Sequence, residues 1–258
     1  MTIRVKTAAF LYHDIVDHPS ESGFQRRSAL AYKQTREIFS KHLDRIAESG
    51  FTPKRVFDID FGQGGKHVLL TFDDGGKGAL YAAEELNRRG WQGHFFITTS
   101  LLGTSTFLDA HATRYIHSCG HVIGSHSHTH PDIFKALSFA RMMSEWRTSC
   151  DILSDLLGAP CLAASVPGGD VSRRVFRSAD AAGLRFLFTS DPFLSPKRQG
   201  GCHVLGRVCP KADIALPEVQ NLAEFRGWTR ELVRMRVKTT LKTALYPLYR
   251  IYVHYALQ

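Results

Sequence analysis

Nowhere does this chain approach the ~20 consecutive apolar residues that a membrane-spanning helix needs. Its first residues, Met1 to Val16, hold a short apolar run broken by His13 and Asp14. That run is too short and too polar for a secretory leader, so the expectation is a cytoplasmic protein. Cysteine is also sparse: Cys119, Cys150, Cys161, Cys202 and Cys209 make an odd set with no close pair. Such a set points away from a disulfide framework and toward reduced thiols. Internal repeats and low-complexity tracts are missing, which argues against solenoids and disorder. Acidic charge is short where basic charge is plentiful. From Arg226 to Gln258 there are seven Lys/Arg and one Glu, which accounts for most of the formal net charge of +9. The remaining body is nearly balanced, against a nucleic-acid-binding surface.

What is present is an alternation of strand-like and helical patterns across 258 residues, 43% of them hydrophobic. That is enough for one large α/β domain or two small ones. Apolar runs predict strands at Thr7–Tyr12, Val68–Phe72, His94–Thr98, His121–Ser125, Cys161–Val166, Arg185–Thr189 and His203–Val208. Helical spacing predicts helices near Thr35–Ser49, Ala79–Arg89, Ser138–Leu157 and Val171–Ala182, each stopped by a glycine at 50, 90, 158 or 183. Seven strands separated by helices imply parallel pairing, hence an α/β layer or barrel. The division expected is a single domain over residues 1–226 and a basic, helical tail over 227–258.

In parallel α/β folds, ligands gather at the carboxyl ends of the strands. The polar clusters fall there: His13-Asp14 after the first strand, Asp73-Asp74 after the second, and HSHTH from His126 to His130 after the fourth. Pro167-Gly168-Gly169-Asp170 follows the fifth and Ser190-Asp191 the sixth. Three alternating histidines suit a divalent ion such as Zn²⁺, with a carboxylate completing the set. Adjacent acids at a strand end leave the backbone in different directions. One can ligate the ion while the other stays free to take a proton from water.

TFDDG at Thr71–Gly75 and, about fifty residues on, HSHTHPD at His126–Asp132 together resemble the polysaccharide deacetylase family (NodB homology, carbohydrate esterase 4). The resemblance covers about Lys66 to Asp191. It implies a distorted (β/α)₇ barrel of parallel strands and a divalent metal, usually zinc. The implied activity is removal of an acetyl group, most often the N-acetyl of an amino sugar, from a glycan. Carried over by position, Asp73 is the general base, and Asp74, His126 and His130 hold the metal. His128, between two ligands, points elsewhere.

The pattern departs from the family in two places. The third motif, Arg-x-Pro, corresponds to Ser165-Val166-Pro167, so the arginine that orients the base is replaced by Ser165. Arg207 is the candidate substitute. Gly168 and Gly169 offer backbone N–H groups for an oxyanion, and Asp191 is the candidate partner of the catalytic histidine. The fifth motif, Leu-x-His near the C-terminus, is absent, since only His254 follows His203. Leu11-Tyr12-His13 supplies the same pattern on the first strand, which a closed barrel brings beside the last. This is similar to the circularly permuted poly-N-acetylglucosamine deacetylases, and makes His13 the candidate general acid.

Two other readings stand beside this one. A degenerate barrel serving as a sugar-binding or assembly module accounts for the lost arginine, and an amidohydrolase-type hydrolase also places an HxH pair after a barrel strand. For the tail, a helix closing the barrel end competes with a basic face docking on a membrane or protein. The expected partner is an acetylated amino-sugar glycan or precursor, with a lipid-linked intermediate at the inner membrane face as one form of it.

Overall fold

The structure is a computed structural model that describes residues 4–25, 27–169 and 171–244. Eight strands form one sheet: β1 (Val5–Tyr12), β2 (Gly65–Phe72), β3 (His94–Ile97), β4 (Val122–Ser125), β5 (Ala163–Ser165), β6 (Phe186–Phe188), β7 (Lys197–Gln199) and β8 (Cys202–Leu205). Their order is β1-β2-β3-β4-β5-β6-β8-β7, and all pairings are parallel except the short β7–β8 hairpin. Past β8 the chain bridges Phe10 to Val208, where Leu11 N–H donates to the Val208 carbonyl at 2.7 Å and Val208 N–H to the Ala9 carbonyl at 2.9 Å. The sheet thus closes on itself as a distorted barrel of seven parallel strands, as the resemblance implied. The seven expected strands are present: the first two begin two and three residues earlier than expected, the last spans Cys202–Leu205, and the other four are shorter.

Helices α1 (Arg36–Glu48), α2 (Gly78–Arg88), α3 (Ala110–Ser118), α4 (Phe139–Leu157), α5 (Arg173–Ala181), α6 (Leu216–Ala223) and α7 (Trp228–Ala244) make up the outer layer with short 3₁₀ turns. Thr35, Asp109, Ser138 and Ser172 cap α1, α3, α4 and α5 by accepting backbone N–H groups of the first turn. Strand alternation divides the core in two. Ala8, Phe10, Leu70, Phe72, Phe95 and Ile97 face the helices. Val5, Ala9, Leu69, Phe96, Ala163, Phe188 and Leu205 face the barrel interior, together with Val56 and Ile59 from the segment between α1 and β2. Among the described residues, no helix is long and apolar enough to cross a membrane.

The tail begins against the barrel: Trp228 is buried and its indole N–H donates to the Leu222 carbonyl at 2.9 Å. Residues 245–258 of the expected tail, His254 included, lie outside the described residues.

Candidate active site

The same alternation builds the site. Leu69 faces inward, so Thr71 and Asp73, two and four residues on, face inward too, and Asp73 emerges at the carboxyl mouth. Ser165 follows inward Ala163, and Arg207 follows inward Leu205, by the same step. Three strand ends therefore aim a carboxylate, a hydroxyl and a guanidinium at one point. β1 and β2 run in full register from Val5↔Gly65 to Tyr12↔Phe72, which puts His13 one step beyond Tyr12 beside Asp73 one step beyond Phe72. The Asp73 N–H donates to the Tyr12 carbonyl at 2.9 Å.

Arg207 is fully buried and grips Asp73 with both terminal nitrogens, Nη1 to Oδ1 at 2.7 Å and Nη2 to Oδ2 at 2.8 Å. Its Nε donates to the Thr189 carbonyl at 2.9 Å, and Nη1 also reaches Thr71 Oγ1 at 3.1 Å. All three nitrogens are thus fixed in the fork geometry peculiar to arginine. Gly206 makes the approach possible: a Cβ there would lie 2.4 Å from the Phe193 carbonyl oxygen and 2.6 Å from that of Asp191. Ser165, which stands where the resemblance expects an arginine, donates its hydroxyl to Asp73 Oδ1 at 3.0 Å and stands 2.5 Å from His126 Nδ1. Arg207 thus makes the contact with Asp73 that the resemblance expects of the third-motif arginine, reached from a different strand. Burial pushes the Asp73 carboxyl up, but Arg207 and His126 more than offset it and hold the group below the usual carboxylate range.

Asp74 departs from the strand with φ at 78°, a left-handed backbone rarely adopted by non-glycine residues. That turn sends its side chain away from Asp73 and toward the HSHTH loop. Asp74 Oδ1 lies 3.5 Å from His126 Nε2 and 3.8 Å from His130 Nε2. One ligand atom from each of the three residues falls within 4.8 Å of the others. A tetrahedral ion with bonds of ~2.0–2.2 Å sets its ligand atoms roughly 3.4 Å apart, so one carboxylate oxygen and two imidazole nitrogens fit a zinc-type centre. His126 is oriented for it because Nδ1 is turned back to Ser165, leaving Nε2 to face Asp74. Burial alone would lower the His126 ring, yet Asp73 and Asp74 keep it above the ordinary imidazole value. Burial and His126 lower His130 to about 4. His128 turns away, with Nδ1 3.0 Å from Thr99 Oγ1.

His13 is at the same mouth. Its ring lies 5.8 Å from the Tyr32 ring. Burial lowers its proton affinity, while Asp74 and Asp73 raise it and Lys33 and His126 oppose them. Asp191 is not among these weightiest charges; its carbonyl accepts the Arg207 N–H at 3.0 Å and its own N–H meets Thr189 Oγ1 at 3.3 Å. Gly168 and Gly169 form a turn with φ of 63° and 69°, and Gly169 N–H is already committed to the Val166 carbonyl at 3.2 Å.

Sequence reasoning missed two charged groups here. Asp14 is buried, accepting from Ser22 Oγ at 2.9 Å and Gly23 N–H at 2.7 Å. The Lys33 ammonium, also buried, lies 3.6 Å from Asp14 Oδ2 and 4.0 Å from Asp74 Oδ2. The one available signal was His13-Asp14 as a pair at a strand end; nothing local marks Lys33. Phe24 packs on His130 with ring centroids 4.8 Å apart.

Residues 62–187 match the polysaccharide deacetylase family model. No curated protein sequence matches the chain. Among solved structures it is similar to the Streptococcus pyogenes deacetylase PplD in complex with acetate (20% identity, TM-score 0.72, 86% of this chain and 99% of that one). It is similar too to IcaB from Ammonifex degensii (20% identity, TM-score 0.70, 86% and 98%). A de-N-acetylase from Aggregatibacter actinomycetemcomitans also aligns, at 15% identity and TM-score 0.69 over 84% of this chain and 99% of that one. At these identities the likenesses concern the fold.

Proposed function

We propose, from the match of residues 62–187 to the polysaccharide deacetylase family model, that the chain is a member of that family and a metal-dependent hydrolase removing an acetyl group, the N-acetyl of an amino sugar, from a glycan or glycan precursor. The observation that carries this reading is the pairing of Asp73, locked in the Arg207 fork, with the separate Asp74–His126–His130 donor set. One acid is held by a cation and a hydroxyl; the other faces two imidazoles.

Asp74, His126 and His130 would hold the ion, and their oxygen-and-nitrogen chemistry favours Zn²⁺. Such an ion, when bound, polarises an acetyl carbonyl and makes a water molecule more acidic. Asp73 takes the proton of the attacking water, since Arg207 and Ser165 fix both its oxygens and keep it ionised. Gly168 is the better candidate for an oxyanion donor, because the Gly169 N–H is already engaged. His13, on the β1 side of the mouth, gives a proton to the departing amine and acetate is released. Arg207 supports an enzyme over a degenerate module, whose main argument was a missing arginine. Ligands after β4 disfavour the amidohydrolase arrangement, in which the HxH pair sits on the first strand. For the tail, membrane or protein contact through its basic residues is tested by liposome co-sedimentation of the intact chain against one ending near Arg226. Equal pelleting of the two removes the membrane idea.

The activity is tested by incubating Zn²⁺-loaded protein with N-acetylated amino-sugar oligomers and lipid-linked precursors. Mass spectrometry should show losses of ~42 Da, one acetyl replaced by hydrogen, matched by free acetate. Absence of any such loss across these substrates would count against the reading.

A further inference from the structure

The loop that carries His126 and His130 makes little use of backbone pairing for its own N–H groups. The Ser127 N–H donates to Ser125 Oγ at 3.0 Å, and the His130 N–H to Ser127 Oγ at 3.1 Å. Between them, the His128 and Thr129 N–H groups both converge on Glu145 Oε2, at 3.0 and 2.8 Å. The other oxygen, Oε1, accepts from Thr129 Oγ1 at 2.8 Å and lies 3.0 Å from Arg141 Nη2. Four successive N–H groups therefore end on side-chain oxygens. Two of them end on one carboxylate oxygen.

Glu145 is 1% exposed, on the inner face of α4, where a buried carboxylate needs such partners. Ser149, one helical turn on, accepts from Ser125 Oγ at 2.7 Å, so α4 fixes the loop at its root as well. The loop needs fixing. Ser127 at φ 66° and His130 at φ 51° hold left-handed backbones, which L residues leave when nothing constrains them. A convergent pair of N–H groups around a fixed anion gives that constraint.

We propose that Glu145 is a positioning residue for the metal centre: by accepting the His128 and Thr129 N–H groups, it sets the loop geometry that aims His130 at the ion shared with Asp74 and His126. This rests on the metal-centre reading above. The role is one of hydrogen-bond acceptance, so an amide oxygen can perform it. In Glu145→Gln the amide oxygen takes both N–H groups, while its NH₂ group meets the Thr129 hydroxyl, which can rotate to accept, and the Arg141 guanidinium, 55% exposed, turns out to solvent. In Glu145→Ala both N–H groups lose their acceptor. In Glu145→Asp the charge remains but the carboxylate is withdrawn by one methylene.

The test is Zn²⁺ affinity of the full chain, measured by competition with a chromophoric chelator, alongside the visible spectrum of the Co²⁺-loaded protein and the far-UV circular dichroism. Removing an outer support of a metal ligand typically weakens binding ~10–100-fold. Glu145→Ala should lose affinity in that range with an altered Co²⁺ spectrum, and Glu145→Gln should remain within about threefold of the parent, well short of that loss. Where Glu145→Ala does not fold, Glu145→Asp serves in its place and should weaken at least ~10-fold despite its charge. Parental affinity in Glu145→Ala or Glu145→Asp would overturn the proposal. Loss in Glu145→Gln equal to that in Glu145→Ala would also overturn it, by showing that charge and not acceptance acts. A parent chain that binds neither ion removes the metal centre itself, and this proposal with it.

Discussion

Arg207→Met removes the guanidinium and keeps much of the side chain's bulk. Two charge-assisted bonds to Asp73 disappear, at 2.7 and 2.8 Å, in a site where arginine is 0% and aspartate 3% exposed. Breaking one side of a buried ion pair costs about 3–5 kcal/mol, because the remaining charge is stranded. Asp73 has an escape: burial already favours its neutral form, and with the strongest opposing charge gone it takes up a proton at higher pH. The sign follows. A carboxyl depressed in the folded state adds stability above the unfolded value of ~3.9, lost as pH falls through the folded value. In the variant this contribution shrinks. Catalytically the base is both misplaced and partly protonated, so acetate release should fall ~10²–10³-fold. The acid limb of the rate profile should move up by about one unit or more. Acetate release from an N-acetylated oligomer between pH 5 and 9, at matched Zn²⁺ content, reads both effects, and urea unfolding at pH 7 reads the stability loss. Near-parental turnover and an unmoved acid limb in Arg207→Met would show that Arg207 does not hold the base.

Other outcomes follow from the same geometry. Ser165→Ala removes one bond to Asp73 and leaves the fork, so its turnover should drop only ~5–10-fold, the effect of about 1–1.5 kcal/mol; a loss as deep as that of Arg207→Met would make the hydroxyl the principal support. Asp74→Ala deletes a ligand oxygen, and equilibrium dialysis should find Zn²⁺ affinity reduced at least ~100-fold, whereas unaltered binding would place the ion elsewhere. Lys33 depresses His13 through space, so Lys33→Met should shift the alkaline limb of the rate profile to higher pH; a shift to lower pH would separate that limb from His13.

Much of the site could be read from the chain because its parts are local. TFDDG and HSHTH each keep their residues within a few positions, and strand alternation alone separates the aims of Asp73 and Asp74. The φ of 78° at Asp74 widens that separation beyond what alternation gives. Arg207 was legible only as a candidate, because its contact with Asp73 depends on closure. Arg207 and Asp73 are 134 residues apart, and only the seam between the chain after β8 and β1 brings them together. Lys33 reaches the site from a segment with no apolar period. Helix α3 carries little apolar period, since only Thr113 and Ile116 are buried in it, and β7 carries none, since its three residues are polar and at the sheet edge. Glu145 looks like any solvated helical acid until the loop is folded onto it.

The division of labour between Asp73 and Asp74 is tested by comparing the parent chain with Asp73→Asn, measuring bound Zn²⁺ and acetate release on the same preparations. Separate duties for the two acids predict Zn²⁺ bound by both proteins at similar affinity, with acetate released by the parent and turnover lost in Asp73→Asn by ~10²-fold or more, the usual worth of a general base. Undiminished acetate release by Asp73→Asn, or loss of its Zn²⁺, would show that the two acids do not divide these duties.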